Sequence, residues 1–283
     1  MGEVINLKKI PINIIWLLII IIAFLYWQNN DIVITNIDVN NGNIPSNFDK
    51  FKILQVSDLH NKKFGKNQNK LVKLTKKINP DIIVVTGDAI DIRKTNMDIA
   101  INYLSQIAKS YPTYYVSGNH ERRIKGYNRF EELLIQNNVK VLNNKYKNIK
   151  IGNKEISLIG MKDISFIKSK DKRKEYLNTL KDIKKEVNNN FTILLSHRPE
   201  IIDIYSQSKV DLVFTGHAHG GQIRLPFIDG LFAPNQGLLP KYTSGKFKNG
   251  STEMIVSRGL GNSLFPFRIF NRPELIVTTL NKE

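Results

Sequence analysis

Histidine-containing clusters at the ends of apolar runs are the feature that most constrains the fold of this chain. Each of the five histidines ends or closely follows a short apolar run with the length of a buried strand. Random placement would put some of them on helix faces or in the lysine- and asparagine-rich connections. The chain is therefore expected to bring the ends of several strands together. The clusters are Asp58-Leu59-His60, Gly118-Asn119-His120, Ser196-His197-Arg198 and Gly216-His217-Ala218-His219.

The apolar runs alternate with helical segments along most of the chain. Near-continuous apolar strands alternating with helices indicate an α/β fold, in which a largely parallel sheet is covered by helices. After Gly221 the pattern changes to short strands, of which 254–257 and 275–279 are the clearest, and we expect a second sheet there. Open α/β sheets bind ligands at the carboxyl ends of their strands, which is where the clusters lie. The other predicted strands are 51–57, 81–86, 113–116, 191–195 and 210–214, and the clearest predicted helices are 97–109 and 172–187.

Residues 10–27 form a predicted membrane anchor. Residues 14–27 contain no charged or amide side chain, and a helix of the anchor's length reaches about 27 Å, close to the hydrocarbon thickness of a bilayer. Lys8 and Lys9 precede it, and the first charge after it is Asp31. The positive-inside rule then places residues 1–9 in the cytoplasm and the large domain on the outer side of the cell membrane, in a single-pass protein.

The remaining chain is assigned to a juxtamembrane segment with an edge strand (28–50) and a main domain (51–283). A cleaved signal peptide is the alternative interpretation of the apolar segment, but residues 23–27 offer no small-x-small cleavage site. No internal repeat or linker divides the main domain.

The net charge and the cysteine content limit the classes of binding partner and of metal ligand that this chain can have. The formal net charge of +17 favours anionic partners, namely lipid headgroups, phosphorylated substrates or nucleic acid. Lysines are spread along the chain without an arginine-rich stripe, so a dedicated nucleic-acid partner is not expected. The chain has no cysteine, so a metal would be held by imidazole, carboxylate or amide groups.

The clusters together supply a metal-ligand set. An isolated His-x-His pair is often just two exposed loop histidines, but here the donors are too many for one tetrahedral ion and suit two ions sharing a carboxylate. Imidazole and oxygen donors are typical of borderline divalent ions such as Mn, Fe or Zn. Two such ions about 3.5–4 Å apart can clamp an in-line displacement at phosphorus and generate hydroxide at neutral pH. The donors are Asp58, His60, Asp88, Asn119, His197, His217 and His219.

The order of these clusters resembles that of the calcineurin-like metallophosphoesterases. The blocks run from Asp58 to His219 in the family's order, and every ligand position matches. The anchor, the segment 220–226 and the segment 257–261 resemble the membrane-anchored bacterial branch of that family. The resemblance implies a four-layer αββα sandwich of two mixed sheets flanked by helices, preceded by one transmembrane helix.

The resemblance also implies a role for each residue. Asp58, His60 and His219 would hold one ion, Asn119, His197 and His217 the other, and Asp88 would bridge them. His120 would give a proton to the leaving oxygen. Asp91 and Glu121 are possible orienting residues, or plain turn residues. Arg198 and Arg224 could bind phosphate oxygens, or form structural pairs.

The expected activity is hydrolysis of a phosphodiester or pyrophosphate bond by metal-bound hydroxide. Apolar segments at 225–239 and 264–270 favour a lipid-linked substrate. The alternative for these segments is that they close the end of the core. Two other functions stay open: a metal-containing, non-catalytic binding module at the membrane surface, and a lipid- or nucleic-acid-binding protein with structural metals.

Overall fold

The structure, a computed structural model, describes residues 11–187, 191–225, 227, 229–262 and 265–283. Helices and strands alternate through the first half of the chain, as the apolar pattern predicts. The helices are α1 (Ile12–Asn30), α2 (Asn69–Ile78), α3 (Met97–Ala108), α4 (Tyr127–Gln136), α5 (Lys172–Glu186) and α6 (Ile202–Gln207). The strands are β1 (Val33–Asn41), β2 (Lys52–Val56), β3 (Ile82–Thr86), β4 (Thr113–Val116), β5 (Val139–Val141), β6 (Lys145–Ile151), β7 (Lys154–Gly160), β8 (Thr192–Leu195), β9 (Leu212–Thr215), β10 (Phe232–Ala233), β11 (Gly237–Leu238), β12 (Gly245–Asn249), β13 (Thr252–Val256) and β14 (Glu274–Lys282).

Two mixed sheets contain most of the strands. The first has the order β1-β14-β2-β3-β4-β5, and the second has the order β12-β13-β9-β8-β7-β6. Strands β2 to β5 are parallel in the first sheet, whereas β14 is antiparallel to β2. Strands β13, β9, β8 and β7 are parallel in the second sheet, with antiparallel strands at both edges. The parallel strands give each sheet a common carboxyl edge.

The sheets pack face to face and helices cover their outer faces. Ile53 of β2 and Ile193 of β8 lie in the core between the sheets, whereas Leu54, next along β2, faces the core beneath α2, α3 and α4. Successive residues of a strand point to opposite faces, so strands buried on both sides are apolar throughout. Helices α5 and α6 cover the second sheet. The predicted four-layer αββα sandwich is confirmed.

After Gly221, where a second sheet is expected, only the short strands β10 and β11 among the described residues pair in a small sheet of their own, and the clearest predicted strands join the two large sheets. Strands β12 and β13 extend the second sheet beside β9, and β14 lies in the first sheet between β1 and β2. Leu275 and Val277 of β14 face the outer core, and Ile276 faces the core between the sheets. The apolar run predicts a strand buried on both faces, but it does not identify the neighbouring strand.

Helix α1 is the predicted anchor. By length and composition it can cross a membrane, and no other helix in the described ranges can. It extends beyond Trp27 to Asn30. Most of its side chains are exposed, but Gln28 and Asn29 are buried against the domain.

The end of α1 is joined to the segment 262–272, here called the aromatic loop. Arg268 N–H donates to Asn29 Oδ1 at 3.0 Å, and the Phe24 ring packs edge-on against Phe270, with ring centroids 5.5 Å apart. The helix therefore contacts the domain through both polar and apolar groups. Several residues named in the predictions lie outside the described ranges: residues 1–10, Pro226, Ile228 and Leu264.

Candidate dinuclear metal site

All seven predicted donors lie at the carboxyl ends of five strands. Six of the donors are buried and Asn119 is half-buried, and they meet at one end of the sandwich because the carboxyl edges of the two sheets meet there. Asp58 and His60 follow β2, Asp88 follows β3, Asn119 follows β4, His197 follows β8, and His217 and His219 follow β9.

Three donors form one group, called the first donor group. Asp58 Oδ1 lies 3.4 Å from His219 Nε2 and 3.8 Å from His60 Nε2. The two imidazole Nε2 atoms are 3.1 Å apart. A tight group of one carboxylate and two imidazoles is typical of a divalent-metal site.

Three more donors form the second donor group. His197 Nε2 lies 3.1 Å from both Asn119 Oδ1 and His217 Nδ1. Asp88 Oδ2 lies between the two groups, 3.3 Å from His197 Nε2 and 3.5 Å from His60 Nε2. One carboxylate oxygen therefore faces both groups.

The spacing of the donor atoms fits two cations. A metal–donor distance of about 2.0–2.2 Å places neighbouring donors of one ion about 2.8–3.6 Å apart, in tetrahedral or octahedral geometry. The donor pairs above match that spacing to within a few tenths of an ångström. Without a cation, imidazole nitrogens would face each other and buried carboxylates, an arrangement that costs free energy unless charge fills the gap. The residues present therefore fit two divalent ions.

The electrostatics of the imidazoles differ between positions. Burial lowers the pKa of His219 to about 3, and burial together with His197 places the pKa of His217 well below its usual value. Burial also disfavours the charged form of His197, but Asp88 overcomes this effect and raises its pKa to about 10. The two histidines after β9 therefore have free lone pairs at neutral pH, whereas a cation would displace a proton from His197.

Backbone strain is concentrated in the same residues. Non-glycine residues with positive φ are uncommon, and each costs about 1 kcal/mol or more. Such strain persists only where surrounding contacts hold it, so its concentration here marks a functional site. The strained donors are Asp58 (φ 51°), His60 (φ 44°), Asp88 (φ 49°), His217 (φ 66°) and His219 (φ 48°).

Two glycines allow the backbone to approach Asp58. A Cβ on Gly216 would lie 2.2 Å from Asp58 Oδ2, and a Cβ on Gly259 would lie 2.6 Å from Asp58 Cβ. Gly259 also has a φ of +71°. Ser57 Oγ donates to Asp58 Oδ2 at 2.6 Å. The side chain of Asp58 is therefore fixed from three sides.

His120 lies beside the donors and lines a cavity of about 400 Å³. The backbone N–H of Ile92 donates to His120 Nδ1 at 3.2 Å. In the neutral imidazole the proton is therefore on Nε2, which lies 3.9 Å from Asp88 Oδ2. This arrangement turns an N–H towards the donors, where a bound phosphoryl group would lie.

Glu121 and Asp91 both contact the site. Glu121 Oε2 accepts hydrogen bonds from the backbone N–H groups of Asp88 at 2.9 Å and Gly118 at 2.8 Å. Burial and the nearby Asp88 raise the pKa of Glu121 to about 7, and the backbone N–H groups of Gly118 and Ile90 oppose the rise. Asp91 Oδ2 lies 3.5 Å from His60 Nδ1. Glu121 thus holds two loops together, and Asp91 faces one imidazole of the first donor group.

The two predicted substrate arginines lie in different surroundings. Arg198 lines the cavity, although its guanidinium pairs with Asp163 at 2.8 Å and with Glu200 at 3.3 Å. Arg224 pairs with Asp229 at 2.6 Å and is not among the residues lining this cavity. Only Arg198 is brought to the donors.

The structure adds cavity residues that the sequence reasoning missed. The Asn235 amide lies next to His217, with Nδ2 2.8 Å from Nε2. Arg93 and Arg123 line the same cavity. Asn235 lies in a turn far along the chain from any cluster, and no spacing pattern connects it to His217. The two arginines follow strand-end clusters closely, a signal that could have suggested them.

Comparison with known proteins agrees with this geometry. Residues 51–221 match the family model for calcineurin-like phosphoesterases. The chain belongs to the calcineurin-like phosphoesterases. The matched region begins at β2 and includes every donor residue described above.

Individual relatives extend the family likeness to most of the chain. The uncharacterised metallophosphoesterase YkuE of Bacillus subtilis is 32% identical, over 90% of this chain and 87% of its own length. Phosphodiesterase YaeI of Escherichia coli is 28% identical, over 81% of this chain and 82% of its own. The solved structure of TT1561 from Thermus thermophilus matches 74% of this chain and 90% of its own, with a TM-score of 0.51 and 14% identity, which shows a shared fold. This calcineurin-like phosphoesterase thus has relatives matched over nearly their whole length.

Proposed function

We propose that this protein is a membrane-anchored phosphoesterase that uses two divalent ions, Mn, Fe or Zn, to hydrolyse a phosphodiester or pyrophosphate bond. The observation that carries the proposal is the pair of donor groups sharing Asp88 Oδ2 beside a cavity. His120 and Arg198 line that cavity. Family membership and the phosphodiesterase relative support the reaction class.

The residues of the site divide the work of the reaction. Two bound cations would supply a nucleophile from water at neutral pH and neutralise charge on phosphorus. Asp58, His60 and His219 would hold one, Asn119, His197 and His217 the other, and Asp88 both. These buried side chains also exclude bulk water from one side of the phosphoryl group.

Residues that line the cavity would act on the leaving oxygen and on the negative charge of the phosphoryl group. His120 would direct its Nε2–H at the leaving oxygen and stabilise the charge that develops there as the phosphorus–oxygen bond breaks. The cations Arg93, Arg123 and Arg198 would orient the phosphoryl oxygens. The ion pair with Asp163 and Glu200 holds Arg198 in place, so it is preorganised rather than free.

We further propose that the substrate is linked to a lipid. Helix α1 would anchor the protein in a membrane, with the domain on the extracytoplasmic side. The aromatic loop, joined to α1, exposes Phe265, Phe267 and Phe270. A groove of about 350 Å³ lies beside it, lined largely by apolar side chains including Ile223 and Phe232. An apolar groove next to the anchor is suited to a lipid chain.

Turnover of bis-p-nitrophenyl phosphate by the full chain in detergent tests the reaction class. We expect turnover with Mn²⁺ or Zn²⁺, loss of turnover with a chelator, and recovery when metal returns. His120→Ala should lower kcat by about 10²–10⁴-fold with two metal ions retained. A protein that binds metal but is inert with every divalent ion would contradict the proposal and favour the non-catalytic binding module.

A second comparison tests the lipid link. Phe232→Asp should lower kcat/KM for a p-nitrophenyl dodecyl phosphate relative to bis-p-nitrophenyl phosphate, because a charge in the groove disfavours an alkyl chain. The matched control is Ile135→Asp, at an apolar residue that is also exposed but lies on α4, away from the groove. Equal ratios in both variants would exclude the groove as the alkyl site.

A further inference from the structure

A second cavity lies beside the metal site and has no role in the mechanism above. It has a volume of about 470 Å³ and opens between the loop after β2, the loop after β3 and the aromatic loop. Its charged walls are formed by four cations and one carboxylate, together with the ring of His60. The charged residues are Lys62, Lys63, Arg93, Lys94 and Asp91.

The cavity carries an uncompensated positive charge. Its one carboxylate, Asp91, already accepts a hydrogen bond from Arg93 Nε at 3.0 Å. Within the described ranges no carboxylate oxygen lies within 4.0 Å of the Nζ atoms of Lys62, Lys63 or Lys94, as the ion pairs there all involve other groups. Lys62 is half-buried, and its ammonium lies 6.0 Å from the Phe64 ring. Three ammonium groups around one concavity without a counter-charge make a site for an anion.

Local bonds hold the walls of this basic cavity in place. Asn61 Nδ2 donates to the carbonyl oxygen of Lys94, which ties the loop after β2 to the loop after β3. The backbone N–H of Lys62 donates to Leu59 O at 2.8 Å. Arg93 also reaches Asn262 O, on the aromatic loop, at 3.4 Å. The cations are therefore carried by segments that are bonded to one another.

The basic cavity and the catalytic cavity share a wall. His60 lines the basic cavity and also belongs to the first donor group, and Arg93 lines both cavities. The two cavities therefore adjoin, and Arg93 is placed to contact an anion in either one. A substrate with two linked phosphoryl groups can place one group in each cavity.

We propose that the basic cavity binds the second phosphoryl group of a diphosphate diester, so that the substrate contains a P–O–P linkage rather than an isolated phosphodiester. This inference rests on the proposed function. Water adds its oxygen to the phosphorus at the donors and the bond from that phosphorus to the bridging oxygen breaks. The bridging oxygen leaves on the phosphoryl group held by the lysines, where His120 Nε2–H donates a hydrogen bond to it. One water is consumed and two phosphate monoesters form, each of which takes up one of the two protons of that water.

A matched pair of substrates tests the proposal. Bis-p-nitrophenyl phosphate and P¹,P²-bis(p-nitrophenyl) diphosphate carry the same aromatic groups and differ by one phosphoryl group. With the metal-loaded full chain in a phosphate-free detergent, Lys62→Met and Lys94→Met should each lower the ratio of kcat/KM, diphosphate over phosphate, by about tenfold. Lys62→Arg should restore most of the ratio because it keeps the charge.

Lys73→Met is the matched control. Lys73 is exposed on α2 and lines neither cavity, so this change removes the same charge without altering the ratio. An unchanged ratio in both cavity variants would overturn the proposal, as would an equal loss on both substrates. A wild-type chain that is inert on both substrates refutes the proposed function instead.

A binding measurement distinguishes failure of the basic-cavity proposal from failure of the proposed function. Calorimetry with the non-hydrolysable methylenediphosphonate analogue of the diphosphate should show about tenfold weaker binding to Lys62→Met than to Lys73→Met. Equal affinities would overturn the site even in a chain without turnover.

Measurements in detergent and in lipid nanodiscs show whether the phosphoryl group in the basic cavity belongs to the substrate or to a lipid headgroup. If it belongs to the substrate, the ratio falls equally in detergent and in nanodiscs that contain phosphatidylglycerol. If it belongs to a bilayer headgroup, the variants affect rates only in the nanodiscs and to the same extent for both substrates. That second result would overturn the assignment of the cavity to the substrate.

Discussion

The two donor groups differ in how their imidazoles are held. In the second group, His197 Nδ1 donates to Thr86 O, with 2.7 Å between the atoms. The Asn235 side-chain amide lies 2.8 Å from His217 Nε2, where its oxygen would accept the Nε2 proton of a ring that binds metal through Nδ1. In the first group, neither His60 Nδ1 nor His219 Nδ1 has a hydrogen-bond partner among the described residues. The nearest carboxylate oxygen to His60 Nδ1 is on Asp91, at 3.5 Å. The second group is oriented by hydrogen bonds and the first by backbone geometry and packing.

This difference should make the two ions unequal. A hydrogen bond to the outer nitrogen fixes the tautomer and ring orientation of a metal-binding histidine, and its loss typically costs 10–100-fold in metal affinity. The bond to Thr86 O keeps one proton of His197 on Nδ1, so the nitrogen that faces the donors, and loses its proton to a cation, is Nε2. We therefore expect the ion in the second group to bind more tightly than the ion in the first.

The largest expected effect tests whether the groups are coupled through Asp88. Asp88→Asn removes the one charge that both groups share, so kcat should fall by at least about 10³-fold and both ions should be lost. Metal content by mass spectrometry and turnover of bis-p-nitrophenyl phosphate check this. Two ions retained at full rate would show that Asp88 does not bridge, and one ion retained would identify the tighter group.

Gly216→Ala should remove the ion of the first donor group without removing the ion of the second. The new Cβ would lie 2.2 Å from Asp58 Oδ2, so the first group should lose its ion while the second keeps one, with turnover lowered about 100-fold. The ratio of metal to protein measures this outcome. Gly42→Ala is the control because no atom lies within 4 Å of its new Cβ. Equal loss of both ions would contradict independent groups.

Asn235→Ala should affect the second donor group. Removal of the amide beside His217 Nε2 should weaken the second ion by about 10–100-fold and leave the first unchanged. Competition with a fluorescent chelator at two metal concentrations resolves the two affinities. If the weaker ion is the one affected, our order of affinities is wrong.

Asp91→Asn should have the smallest effect. Its distance from His60 Nδ1 exceeds that of a good hydrogen bond, so metal affinity in the first group should fall by less than about tenfold. The same chelator competition measures the change. A loss as large as that of Asn235→Ala would show that the first group is also oriented by a hydrogen bond, and the two groups would no longer differ in kind.

The donors could be predicted from sequence because their signals are local. Asp58-Leu59-His60 and His217-Ala218-His219 directly follow apolar runs, and the carboxyl ends of such strands converge in α/β folds. The partner that orients His217 is not local. Asn235 reaches it through the turn between β10 and β11. Sequence proximity to a cluster also misleads, since Arg224 follows His219 closely but is directed towards Asp229.

The strand assignments show the same limit. The apolar run of β14 predicts a buried strand, whereas its position between β1 and β2 depends on pairing with residues more than two hundred positions away. Hydrophobic periodicity carries no information about such pairings. The strands themselves could therefore be predicted from the sequence, but the strands that they pair with could not.

The hydrogen bond from Arg268 to Asn29, which joins the aromatic loop to α1, affects how this protein would search for its substrate. A catalytic domain on a slack tether samples a hemisphere of solvent and meets molecules from every direction. A domain fastened to its own membrane helix keeps one height and one tilt above the lipid, so encounters are confined to lateral diffusion in a plane. Selection would then begin with which molecules share that plane, before any contact with the metal ions.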